Sequence, residues 1–232
     1  MYSKQDVESL AQKCRETLDL SRTDPNCRFP KSLPICLIEA VFSIAANNTS
    51  SQNTYLSYMR YYHIHSEEAT GIILPEHTID EFIDHVESFR DIHEFTDAVL
   101  KNHQRTSSKN GILKSEAVYE IAKVLQKYQI NSLADFQGCS GERYCNLEKE
   151  ILNIKGQSSG IMLKYLHMLA GSENTVKPDR MLMRFINSVN PEVTIDDAQA
   201  LISDCVSLLK KDNQNVTPRL LDYLIWDYQR SV

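Results

Sequence analysis

Two glycines four residues apart, Gly156 and Gly160, interrupt an apolar helical stripe and make the chain reverse there. Ile151, Leu152 and Ile154 close one stripe before them. Ile161, Met162, Tyr165, Leu166 and Leu169 form the apolar face of a helix after them. Gly156 can adopt the left-handed conformation that ends a helix. Ser158 or Ser159 is expected to cap the next helix, and Gly160, without a side chain, to let the two helices pack closely. A polar loop from Gly171 to Pro178 follows. Asp179 then opens a third helix, carried by Met181, Leu182, Phe185 and Ile186.

The rest of the chain has the same period. Ile38, Val41, Phe42 and Ala45 repeat at helical spacing after Pro34, an early-turn proline. Thr78 and Glu81 form a capping box ahead of Phe82, Ile83 and Val86. A short helix is expected from Glu94 to Leu100, and a stronger one from Ser115 to Tyr128. Two more are expected at Thr194–Lys210 and Pro218–Tyr228. No segment alternates as a strand does, so the fold class read here is all-α.

Composition narrows the function classes. No apolar run in the 232 residues reaches the roughly 18 residues of a membrane span. The first 18 residues read as an amphipathic helix and not as a signal peptide. Cys14, Cys27, Cys36, Cys139, Cys145 and Cys205 show no paired metal spacing, which fits reduced thiols and a cytoplasmic protein. His63 and His65 lack a nearby third ligand, so no metal site is expected. The formal charge of −6 runs against a nucleic-acid partner. Local charge differs from net charge, however: Lys155, Lys164, Lys177, Arg180 and Arg184 are concentrated around the glycine hairpin and Asp179.

A glycine turn at a helix N-terminus points backbone N–H groups outward, which suits a phosphate. Such contacts position DNA without reading its sequence. The stretch Ile154-Lys155-Gly156-Gln157-Ser158-Ser159-Gly160, followed by Val176-Lys177-Pro178-Asp179-Arg180, resembles the core of the helix-hairpin-helix DNA glycosylases (HhH-GPD). Their hairpin reads Leu-Pro-Gly-Val-Gly, and an aspartate follows it about twenty residues on. Here the first glycine is Gly156, Ser158 replaces the second, and Lys155 stands where proline is usual. Glu39–Thr49 looks like the family's early helix and following loop, and Ser115–Ala122 like its Lys-Ala-x-x-Ile helix. The match covers roughly residues 35 to 190.

The resemblance implies a two-lobed helix-hairpin-helix glycosylase-like fold. Residues 32–170 would form the helical lobe that ends in the hairpin, and residues 1–31 with 171–232 the other. Asp179 would be the catalytic carboxylate at the wall of the cleft between them. Lys155, Gly156, Gln157, Ser158, Gly160, Lys177 and Arg180 would contact DNA, and Asn47 or Asn48 would fill the gap left by a flipped base. Family members that also nick the strand carry a nucleophilic lysine where this chain has Gly160. Lys164, one turn on, lies about 5 Å too far along the helix. The resemblance therefore implies monofunctional excision with water as nucleophile. Relatives of endonuclease III hold an iron–sulfur cluster through four closely spaced cysteines near the C-terminus. Only Cys205 lies in that part of this chain, so no cofactor is expected. The implied partner is duplex DNA with a flipped base, with a structural cation at the hairpin, no membrane and a monomeric enzyme. The implied role is base-excision repair, or removal of hypermodified bases from phage DNA as antiviral defence.

Two rival readings stand beside this one. Hairpins of this type also serve as DNA clamps without chemistry, and an all-α protein-interaction domain fits the acidic balance. Tyr55, Tyr58, Tyr61 and Tyr62, beside Arg60, His63 and His65, read first as helix packing and second as a stacking surface for bases. Trp226 reads as a packing anchor.

Overall fold

The computed structural model describes residues 2–23, 31–46, 48–67 and 71–231. The described residues are mostly helical, and their only extended pairings are the isolated bridges Lys31–Ile72, Ser66–Ile73 and Arg105–Leu113. The chain divides into two compact units, one of Asn26–Ala170 and one joining Met1–Pro25 to Gly171–Val232.

The larger unit is built around α2 (Leu33–Phe42), every residue of which is buried. A helix apolar all round has no solvent face, so its neighbours must enclose it. It packs against α3 (Asn48–Tyr61), α4 (Ile79–Glu87), α6 (Lys114–Lys127) and α9 (Ile161–Leu169). One charged residue, Glu39, is buried with it, and Tyr165 of α9 donates to its Oε1 at 3.1 Å. Between α4 and α6 run α5 (Ile92–Phe95) and a π-helical turn, Thr96–Leu100, closed by the left-handed Lys101. Between α6 and α9 run α7 (Leu133–Gly138) and α8 (Gly141–Asn153). The Thr78–Glu81 capping box forms as expected. α6 starts one residue earlier than expected, at Lys114, and Ser115 does not cap it. Ser115 is buried and its hydroxyl accepts from Thr96 Oγ1 at 2.6 Å.

The smaller unit comprises α1 (Lys4–Thr17), α10 (Arg180–Asn187), α11 (Ile195–Leu209) and α12 (Pro218–Ser231). Val7, Leu10 and Cys14 of α1 share a core with Phe185, Ile186, Leu201, Cys205 and Leu221. A hydrogen bond to Cys205, together with burial, pushes the Cys14 thiol well above its ordinary range, so it is an inert packing group. Among the described residues, no helix is long and apolar enough to cross a membrane.

Tyr55 and Tyr58 of α3 are buried packing residues, whereas Tyr61 is exposed. Tyr58 is fully buried, and its hydroxyl lies between the rings of His77 and His85, 2.9 Å from His85 Nδ1. Tyr62 stacks on His85 with ring centroids 3.5 Å apart. His77 Nδ1 faces Glu81 Oε2 at 3.3 Å. Burial pushes His77 down to about 4, and pushes His85 and His167 down as well. The unfolded chain therefore binds protons more tightly than the folded one. Stability from these histidines is complete above the unfolded value of 6.5 and is lost as pH falls from there towards 4. Urea unfolding is expected to show a loss on the order of 2 kcal/mol from His77 alone over that interval. His77→Gln should flatten that part of the profile, and an unchanged slope would contradict this assignment.

Candidate functional site

The hairpin occupies residues 154–160, between α8 and α9. The Gln157 N–H donates to Ile154 O at 2.9 Å, and the Gly160 N–H to Gln157 O at 3.0 Å, which closes a tight reversal. Gly156 has φ +90° and Gly160 φ +67°, both in the region that side-chain-bearing residues avoid. A Cβ on Gly156 would stand 2.3 Å from Thr106 Cβ, so the 101–113 loop packs directly on the turn.

One expectation is refined here and one changes. Gly160 is itself the N-cap of α9, and the Ser159 hydroxyl is the side chain that accepts from the first helical amide. Its Oγ lies 3.5 Å from the Ile161 nitrogen. Gly160 is not needed for close packing: an added Cβ would meet only Leu152 Cδ2, at an ordinary 3.6 Å. Its positive φ is the constraint.

The hairpin residues separate by what they can offer a ligand. Lys155, Gly156, Ser158 and Ser159 are exposed. Among the described residues, no protein acceptor meets the N–H groups of Gly156 and Ser158. Open amides beside the exposed Lys155 ammonium make a site suited to an anion. Gln157 does not belong to it. Its side chain is 4% exposed, its Oε1 is buried without a partner, and its N–H is already bonded. The Gln157 side chain is buried, unlike the exposed Lys155, Ser158 and Ser159. The Gly160 N–H is likewise taken within the turn.

In the smaller unit, Asp179 is the N-cap of α10, with extended backbone set after Pro178. Its Oδ1 accepts from the Met181 N–H at 2.8 Å and the Leu182 N–H at 3.2 Å. Its Oδ2 lies 3.9 Å from Lys177 Nζ, and the side chain remains 30% exposed. One oxygen is therefore pinned by a helix N-terminus, while the side chain stays in part open to solvent. Lys177 is 12% exposed, with its ammonium towards Asp179. Arg180 is exposed on the first turn of α10. Arg184 is taken up by α12, where it bonds the Gln229 side chain and, at 2.7 Å, the Gln229 carbonyl.

The chain matches, over residues 8–230, a family described as a Domain of unknown function (DUF8548). It belongs to that family. No curated protein and no solved structure matches it.

Asn47 lies outside the described residues, and Asn48 opens α3 with only its backbone described. The turn before them is held by a residue that the sequence reading passed over. Lys114 is buried, and its Nζ donates to Phe42 O at 3.1 Å, Ile44 O at 2.7 Å and Gln104 Oε1 at 2.9 Å. These carbonyls end α2, where a cation satisfies groups that the helix leaves open. Periodicity gave no sign of this, because a lysine before a helix reads as a surface residue.

Gly160→Ala is expected to cost about 1–2 kcal/mol, from the left-handed backbone alone. Gly156→Ala should cost more, because its Cβ also meets Thr106, and adding Thr106→Gly should recover part of the difference. Equal urea stabilities for the two alanine variants would show that the loop does not press on the turn.

Proposed function

We propose that this chain is a monofunctional DNA glycosylase of the helix-hairpin-helix type. It would hydrolyse the N-glycosidic bond of a damaged or modified base flipped from duplex DNA. The observation that carries the reading is the Asp179 carboxylate, with Oδ1 held by two amides and the side chain still 30% exposed. Support comes from the helix–turn–helix of α8 and α9, whose left-handed glycine and open amides suit a phosphate.

The chemistry needs little more. As the C1′–N bond breaks, its electron pair leaves with the base and positive charge builds on the sugar. A carboxylate oxygen beneath the sugar stabilises that charge, in the same logic as glycoside hydrolysis. Water then adds its oxygen to C1′, and a proton passes to Oδ2. Anchoring Oδ1 to the helix fixes the carboxylate before the reaction, so no reorganisation is needed in the transition state. Lys177 is an amine near this carboxylate, but its Nζ faces Oδ2 and the side chain is nearly buried. The reading therefore keeps water as the nucleophile.

One observation favours a clamp without chemistry: the two bonds to Oδ1 are those of any N-cap aspartate. Asp179→Asn separates the two roles, because asparagine caps as well as aspartate but carries no charge. The assay is abasic-site formation on duplexes bearing alkylated, oxidised, deaminated and hypermodified bases. The wild type is expected to give alkali-dependent strand breaks on at least one of them. The variant should lose about 100-fold or more in rate, with folding stability changed by less than about 0.5 kcal/mol. Undiminished excision by the variant, or DNA binding with no excision on any duplex, would favour the clamp. Breaks without alkali would assign a lysine nucleophile instead.

A further inference from the structure

The hairpin is not the only anion-suited surface of the larger unit. An open groove runs between α3 and the loop after the π-helical turn, lined by Ser50, Asn53, Arg60, Lys101, Asn102 and Gln104 among others. Among the described residues, none that lines it is acidic. Arg60 and Lys101 are exposed, and among the described residues no carboxylate pairs with either. The loop continues the pattern: from Lys101 to Lys114 the chain has Lys101, Arg105, Lys109 and Lys114 and no acid at all. In a chain of net charge −6, this run is locally basic. His103, also at the groove, is paired with Asp97 at 3.1 Å and adds little.

The floor of the groove is already built. Gln104 Nε2 donates to Ser50 Oγ at 3.0 Å, and Asn102 Nδ2 to Thr54 Oγ1 at 2.8 Å. Lys114 holds Gln104 from below through its Oε1. The groove also adjoins the hairpin. Gln104 lines the groove, and Thr106, two residues on, is the residue that packs on Gly156. Two residues of extended chain span at most about 7 Å.

We infer that this groove is a second phosphodiester-backbone site, in which Arg60 and Lys101 continue along duplex DNA the contact begun by the hairpin. The inference rests on the DNA reading proposed above. Its role is positioning: neutralising two phosphates strengthens binding on any sequence and makes it more salt-dependent.

The test is the affinity of the full chain for an undamaged duplex, followed by fluorescence anisotropy across a salt series. Arg60→Gln/Lys101→Gln is compared with Lys210→Gln/Lys211→Gln, an equal charge change in the smaller unit. Thermal melting shows whether each variant is folded. The groove variant is expected to bind about ten- to a hundredfold more weakly at low salt. Its log–log salt slope should be shallower than wild type by about 1.8, and the control should match wild type. A groove variant with wild-type slope, or a control that loses as much, would overturn the inference and leave the DNA reading standing. A wild type with no salt-sensitive DNA affinity would overturn both.

Discussion

The reversal at Gly156 is the constraint on which the larger unit's proposed DNA-facing surface depends. There the backbone adopts φ +90° and leaves no room for a Cβ, because Thr106 fills the space. A side chain at this position would open the turn, push away the 101–113 loop and disturb the groove floor that the loop carries. The same tight turn leaves the amides of Gly156 and Ser158 without a protein acceptor. Orphan donors in a tight, rigid turn cost little while water reaches them, and are ready for an anion. Two buried polar atoms without partners, Thr106 Oγ1 and Gln157 Oε1, belong to the residues of this contact. Each is a burden on stability of about 1–3 kcal/mol, which the surrounding packing offsets.

Helix content and the places of most helices were legible in the sequence, because burial on one face writes a 3.6-residue period. The capping box at Thr78, the early Pro34 and the cap at Asp179 were legible for the same local reason. The features that periodicity missed are those set by tertiary contact. Lys114 is buried because three acceptors converge on its ammonium from two other segments. Gln157 turns inward although a glutamine in a turn ordinarily faces water. Gly160 is glycine for its dihedral angle and not for helix proximity. The acid-free run 101–114 was visible as composition, but its meaning depends on Thr106 meeting Gly156.

In the smaller unit the same economy recurs at Asp179. Its Oδ1 closes the open amides of α10, and its Oδ2 lies towards Lys177. An N-cap is normally a structural device, yet it also fixes a carboxylate in one orientation. A fixed negative charge is what a developing cationic sugar requires. In the proposed glycosylase the structural and chemical roles would share one side chain, and only removal of the charge with the cap retained distinguishes them.

The most direct test of this account is charge recognition at the sugar. Equilibrium affinity would be measured for duplexes carrying a cationic pyrrolidine abasic analogue or its neutral tetrahydrofuran counterpart. The wild type is expected to prefer the cationic duplex by about tenfold or more, an electrostatic difference of about 1.4 kcal/mol or more. Asp179→Asn is expected to abolish this preference. Equal binding of both duplexes by the wild type would contradict a carboxylate poised beneath the sugar.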